Sequence, residues 1–386
     1  MLDEILAEAL HVVRSNLKME VAFISTFQNG LRVFRHTDAH PYPTLVCVGN
    51  ADPLEDSYCQ RIVDGRFPEL IQDTAQVPEA MALPVTQALG IGAYMGVPIH
   101  FSDGSLYGTF CCFSSQPNYT LNDSDLCTLR LFADFSGRLI EKQVLSTKRH
   151  DEMRAQITSV LNNRLINIVY QPIINVAQDK VVGYEALARF PSEPQRPPDL
   201  WFGEAAEVEL EVQLEIMAIE EALKGLKHFP EESYISLNAS PSTILCGALA
   251  HALVEQPLTR LMLEVTEHIS VEDYGSIAMA LEPLRRKGML LAVDDAGAGY
   301  ASFRHILMLK PDVIKLDRSL IQNITSNTDY RALAGALIRF AEETGSKVVA
   351  EGVETEEELA LLRSLRVNNV QGFLLGRPMP MSHYVF

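Results

Sequence analysis

The sequence predicts an α+β module followed, through a helix, by a (β/α)8 barrel. Three observations predict it. At 386 residues the chain is long enough for two domains. Residues 1–145 run helix, antiparallel strands, helix. From 146 to 386, short apolar runs alternate with helical patterns, and several of those runs end in acidic or amide residues.

In the first module, Ile5, Leu6, Ala9, Leu10, Val13 and Leu17 fall at helical spacing. Strands are expected at Val21–Phe27, Leu31–Arg35, Tyr94–His100 and Leu106–Phe113, with Asp103-Gly104-Ser105 as a hairpin turn. Asp52–Asp64 reads as a loop and short helix closed by Gly65. From Asp123 to about Leu165 the pattern is helical without proline, and Ser146–Arg154 is strongly polar. A linker helix that couples the two domains and pairs with its copy in a homodimer is the expectation here.

Composition bounds the function. Hydrophobic residues make up 47% and charged residues 21%, which describes a globular protein with a large core. The formal net charge of −18 disfavours broad attraction to a nucleic acid polymer or an anionic membrane, but leaves room for a small phosphate ligand. No apolar run reaches bilayer length, and Met1-Leu2-Asp3-Glu4 lacks a basic leader, so a cytoplasmic protein is expected. The six cysteines show no CxxC spacing, which argues against structural zinc and for free thiols.

The second half offers eight strand candidates: Ile168–Pro172, Val182–Ala188, Tyr234–Asn238, Leu261–Val265, Leu290–Asp294, Val313–Leu316, Lys347–Ala350 and Asn369–Gly372. Helical patterns at Glu204–Lys227, Ser240–Leu253, Ser276–Arg286, Tyr330–Gly345 and Glu356–Ser364 separate most of them. In a TIM-like barrel the chemistry collects at the C-terminal strand ends. Glu185, Asn238, Glu264, Asp294, Asp295, Lys315, Glu351 and Gln371 all fall at or near those ends. Carboxylates with one amide oxygen form a hard oxygen donor set suited to Mg²⁺ or Mn²⁺. Two adjacent aspartates can bridge a pair of ions, an arrangement suited to phosphoester hydrolysis.

Two family resemblances follow. Ser57-Tyr58-Cys59-Gln60, Ile71-Gln72-Asp73, Tyr94-Met95-Gly96-Val97-Pro98 and Tyr107-Gly108-Thr109, with the element order, resemble the GAF family of small-molecule sensor domains. The resemblance implies a small-molecule ligand of unknown identity. The second half is similar to the EAL family of cyclic di-GMP phosphodiesterases. The motifs are Tyr184-Glu185-Ala186-Leu187-Ala188-Arg189, Ile235-Ser236-Leu237-Asn238, Leu263-Glu264-Val265-Thr266-Glu267, Asp294-Asp295-Ala296-Gly297-Ala298-Gly299, Ile314-Lys315-Leu316-Asp317, Ala350-Glu351-Gly352-Val353-Glu354, Gln371-Gly372 and Gly376-Arg377-Pro378.

This second resemblance implies hydrolysis of cyclic di-GMP to pGpG with two metal ions. It implies Glu185, Asn238, Glu264, Asp294 and Asp295 as ligands, Glu351 nearby, and Lys315 holding the attacking water. Glu267 would brace the loop after Asp295. Gln171, Arg189 and Arg377 would hold the dinucleotide, arginine suiting phosphate because its planar donors bind in pairs, and Gln371 would position the water or the substrate. Asp317 and Glu354 are placed with the substrate set, with helix capping or surface pairing as the competing reading. Ala296 and Ala298 stand where the family usually has Phe and Thr, which bears on loop ordering rather than on the ligands. The alternative function is an EAL barrel that captures cyclic di-GMP without cleaving it.

Overall fold

Leu6, Leu10 and Val13 are buried along one side of the helix Leu2–Asn16, as their spacing requires. That helix belongs to the first of two units in the computed structural model, Met1–Arg149 and His150–Phe386. The structure describes residues 2–40, 46–192, 195–265, 274–297 and 300–384.

The first unit is built on six strands: β1 (Val21–Gln28), β2 (Leu31–Ala39), β3 (Ala51–Pro53), β4 (Leu70–Ile71), β5 (Ala93–His100) and β6 (Leu106–Ser114). They form one antiparallel sheet in the order β3-β2-β1-β6-β5-β4. The four longer strands match the expected ones. The two short edge strands, two and three residues long, carry too little periodicity to be read from sequence. Successive strand residues point to opposite faces, and both faces here are covered. Ala22, Ile24 and Cys112 pack with Leu6, Leu10 and Leu129, while Val21, Phe23 and Cys111 pack with Tyr58, Cys59 and Phe67. That is why Val21–Ile24 is buried without alternation.

The polar stretch expected as a linker lies inside a single 41-residue helix, Asp123–Asn163. Residues 142–150 are exposed along it.

The second unit contains β7 (Asn167–Asn175), β8 (Lys180–Arg189), β9 (Tyr234–Asn238), β10 (Leu261–Val265), β11 (Leu290–Ala296), β12 (Val313–Leu316), β13 (Lys347–Ala350), β14 (Asn369–Val370) and β15 (Met379–Pro380). The order runs β14-β13-β12-β11-β10-β9-β8-β7-β15, and a β14–β7 pairing closes the barrel. All eight candidate strands are present. From β8 to β14 the neighbours are parallel. β7 is antiparallel to both β8 and β14, because a tight turn after Asn175, rather than a helix, leads into β8.

Two helical stretches divide more finely than their periodicity suggests. The Glu204–Lys227 pattern becomes helices Pro198–Glu207 and Glu211–Leu223, separated where Glu209 takes a left-handed φ of 60°. Ser240–Leu253 becomes Pro241–Leu245 and Ala248–Ala252, broken at Gly247, whose φ of 82° suits glycine. Among the described residues no helix is long and apolar enough to cross a membrane.

Candidate active site

The barrel interior is layered by the two-residue period of its strands. One layer is apolar: Ile173, Met262, Ala292, Val313 and Val349 pack together. Two residues further along the four parallel strands stand Glu264, Asp294, Lys315 and Glu351. On the reversed β7 the equivalent step runs backwards, from Ile173 to Gln171. Glu185 on β8 lies in register between Gln171 and Ser236. Asn238 ends β9 opposite Glu264. Residues scattered over about half the chain therefore meet at one rim because each continues an inward-facing column.

Lys315 occupies the centre. Its ammonium is buried and lies 2.5 Å from Glu351 Oε1, 2.7 Å from Glu264 Oε2, 3.3 Å from Asp294 Oδ1 and 3.6 Å from Glu185 Oε1. Ser236 Oγ donates to the other oxygen of Glu264 at 2.5 Å. Gln371 Nε2 donates to Glu185 Oε2 at 2.6 Å and to Gln171 Oε1 at 3.1 Å, and Gln171 Nε2 donates to the Gly376 carbonyl at 3.0 Å. Gln371 Oε1 is buried without a hydrogen-bond partner among the described residues.

Adjacent strand residues ordinarily point to opposite faces. Asp295 departs from the extended conformation, with φ at 55°, and β11 breaks register between Val293 and Ala296. A left-handed non-glycine residue costs on the order of 1 kcal/mol. It turns the second carboxylate toward the same side, so that one oxygen each from Asp294, Asp295 and Glu351 lies within 4.8 Å of the others.

The electrostatics are unbalanced. Burial acts to lower the pKa of Lys315, but Asp294, Glu185, Glu264 and Glu351 overcome it and hold the ammonium well above its ordinary range. Burial pushes Glu264 up to about 8, with Lys315 opposing and Glu185 and Asp294 adding to the rise. Burial likewise lifts Glu351 well above the carboxylate range. Four carboxylates share one ammonium, with Asp295 beside two of them, and crowded carboxylates of this kind resist simultaneous ionisation. Two divalent cations would balance the surplus, and an all-oxygen donor set of carboxylates with Asn238 fits hard cations.

Beside this cluster is a cavity of about 270 Å³, lined by Gln171, Glu185, Arg189, Glu351, Glu354 and Gln371 among others. The structure thus brings most of the expected metal and substrate residues to one place. Arg189 stands at the end of β8, its Nη1 donating to the Ala188 carbonyl at 2.7 Å. Arg377 is outside the cavity wall, with its guanidinium 4.4 Å from the centre of the Phe373 ring. Asp317 caps the short helix Arg318–Ile321, accepting from the Ser319 amide at 2.9 Å. Glu267 and Ala298 lie outside the described residues.

Sequence reading missed Arg318, Ser236, Phe373 and Pro378. Arg318 lines the cavity and donates to Glu354 Oε1 at 2.8 Å. Ser236 was signalled by its position two residues before Asn238, on the same face of β9. Pro378 stands in the Gly376-Arg377-Pro378 motif without a role of its own, and nothing in the local pattern distinguishes Arg318 or Phe373 from surface residues.

Residues 1–140 match the GAF domain model and residues 154–378 match the EAL domain model. Among curated proteins, the cyclic di-GMP phosphodiesterase NbdA of Pseudomonas aeruginosa is 30% identical over 308 residues, 77% of this chain and 38% of its own length. This chain therefore spans well under two thirds of that relative. The structure of the PaMucR phosphodiesterase in its c-di-GMP complex superposes with a TM-score of 0.55 at 29% identity, covering 61% of this chain and 100% of that one. The manganese/cy-diGMP complex of Klebsiella pneumoniae BlrP1 gives 0.51 at 29% identity, covering 56% and 57%.

The raised Glu264 sets a pH dependence. An acid whose folded pKa of about 8 exceeds its ordinary 4.5 holds its proton better when folded. Stability in chelator-treated protein should therefore fall as pH rises through that interval. Thermal melts should show this decline, and added Mg²⁺ or Mn²⁺ should raise the melting temperature more at its alkaline end than at its acid end. Equal shifts at both ends would remove the surplus-charge reading.

Proposed function

Because the chain belongs to the EAL domain family and gathers four carboxylates around one lysine beside a cavity that carries two arginines, we propose that it hydrolyses cyclic di-GMP to pGpG. The carboxylate ring at the C-terminal strand ends is the observation that carries this reading. Glu185, Asn238, Glu264, Asp294 and Asp295 are the residues that would hold two divalent cations, Mg²⁺ or Mn²⁺, with Glu351 alongside. When bound, such ions lower the pKa of water and offset charge on the phosphoryl oxygens.

The chain's own residues do the rest. Lys315, fixed by its four carboxylate neighbours, presents its ammonium where it orients the attacking water by hydrogen bonding. Ser236 and Gln371 hold Glu264 and Glu185 in place, as outer partners do at metal sites. Gln171, Gln371 and Arg189 face the dinucleotide from the cavity wall. Arg318 joins them, oriented by Glu354 and by the helix that Asp317 caps. Arg377, stacked on Phe373, extends the cationic edge.

The N-terminal GAF domain is the regulatory part of this reading, taking an unidentified small molecule and acting through the long helix, with the active form a homodimer. A cavity of about 350 Å³ bounded by Phe34, Asn50, Asp52, Pro84 and Leu89 supports a ligand there.

Glu264→Gln and Asp294→Asn should lower pGpG formation by at least the roughly hundredfold that loss of an outer-shell partner costs a metal site. Circular dichroism should show the fold retained; near-normal turnover in either variant contradicts the ligand assignment. Arg318→Ala should raise KM roughly tenfold with kcat little changed, the signature of lost binding common to ground and transition states. Turnover by a truncated chain beginning near residue 151 should differ from that of the whole chain; identical rates and ligand response would remove the GAF domain as regulator.

A further inference from the structure

The first unit buries a cation in its core. Arg32 on β2 is only 2% exposed, with its guanidinium 4.7 Å from the Phe34 ring centre and 5.5 Å from that of Phe23. A buried charge needs partners. Arg32 Nε donates to Asp52 Oδ1 at 2.9 Å, and Nη2 donates to the other oxygen of Asp52. Its remaining arm, Nη1, donates to the sulfur of Cys59 at 3.4 Å. Cys59 lies on the helix Tyr58–Val63, and its sulfur is 3.7 Å from that of Cys111 on β6. Both thiols are fully buried.

Cys112, next in the chain, serves as an internal reference. It is just as buried, but it faces the opposite side of the sheet among Ala22, Leu126 and Leu129. Burial pushes its thiol up. Burial alone would do the same to Cys59, yet the hydrogen bond with Cys111 and the Arg32 charge hold it well below the ordinary thiol range. Tyr94 and Ser25 also face Cys59, at 3.5 and 3.8 Å, and both are neutral hydroxyl groups. The thiolate is the nucleophilic form, and an adjacent cation favours it.

Phe34 and Asp52 both touch Arg32 and both line the 350 Å³ cavity of this unit. Arg32 thus joins two residues of that cavity wall to Cys59.

We propose that Cys59 and Cys111 form a peroxide-oxidised dithiol in the GAF domain, with Cys59 as the attacking sulfur, Arg32 as its counter-cation and Cys111 as the resolving thiol. In the first step the Cys59 thiolate attacks one oxygen of hydrogen peroxide. The O–O bond breaks, a Cys59 S–OH forms and hydroxide leaves. In the second step the Cys111 sulfur attacks the Cys59 sulfur. The S–S bond forms, and the hydroxyl leaves as water with the Cys111 proton. The two sulfurs are together oxidised by two electrons and the peroxide is reduced, in keeping with the thiol oxidation sequence. The site is independent of the chemistry proposed for the barrel.

The test is to expose the folded full-length chain to hydrogen peroxide, quench free thiols and analyse unreduced peptides by mass spectrometry. A peptide pair linking Cys59 to Cys111 is expected, lighter by two hydrogens than its parts and restored by dithiothreitol. In short exposures Cys59 should be consumed roughly tenfold faster than the equally buried Cys112. Cys111→Ser should leave Cys59 as a sulfenic acid that a dimedone reagent captures, whereas Cys59→Ser should leave Cys111 unlabelled. Equal consumption of Cys59 and Cys112, a Cys111–Cys112 link, or oxidation confined to the exposed Cys127 and Cys246 would overturn the assignment. The wild-type comparison stands whether or not the serine variants fold.

Discussion

Lys315 and the carboxylates around it are the constraint on which the barrel depends. An isolated ammonium buried in a protein interior costs several kcal/mol, and so does each isolated carboxylate. Together they reduce one another's cost, but one positive charge cannot neutralise Glu185, Glu264, Asp294, Asp295 and Glu351. Burial chiefly lifts the pKa values of Glu264 and Glu351, and the neighbouring carboxylates add to the rise. A core selected only for stability would place apolar side chains of similar volume there. The excess negative charge is instead a standing demand for cations, and it lies beside a cavity whose lining includes Arg189 and Arg318. In the proposed function the arrangement divides the labour: acidic residues for metal, arginines for phosphate.

Strand geometry makes this assembly possible. The apolar layer of Ile173, Met262, Ala292, Val313 and Val349 fills the barrel and fixes the inward direction of each strand. The next inward position on each strand then has no choice but to meet its neighbours. Asp295 is the exception that improves the result: its left-handed backbone breaks the alternation and adds a carboxylate that an ideal strand would have turned away. Local strain of this kind is concentrated at functional positions.

Much of this was legible from the residues. Apolar runs ending in Glu185, Asn238, Glu264, Asp294 and Lys315 indicated both the barrel and its chemistry, because burial and charge rarely coincide without cause. Strand direction was less legible, since period-two patterning is the same whichever way a strand runs; β7 is reversed by a turn that the pattern did not single out. The breaks at Glu209 and Gly247 escaped notice because the apolar spacing continues across them. Arg318 was invisible for a different reason. Its role comes from a contact with Glu354, 36 residues away, and from sharing a cavity with residues on other strands. In the first unit, Cys111 and Cys112 are neighbours in sequence, but the sheet sends them to opposite faces and gives Cys111 a partner from a helix instead.

Counting bound cations tests the central claim most directly. Isothermal titration of the chelator-treated chain with Mn²⁺, supported by paramagnetic resonance of the free ion, measures both number and affinity. Two ions per chain are expected, with binding weakened when Asp294 becomes asparagine. A folded wild-type chain that binds no Mn²⁺, or binds it equally well without Glu185, Glu264 and Asp294, would contradict the carboxylate ring as a metal centre.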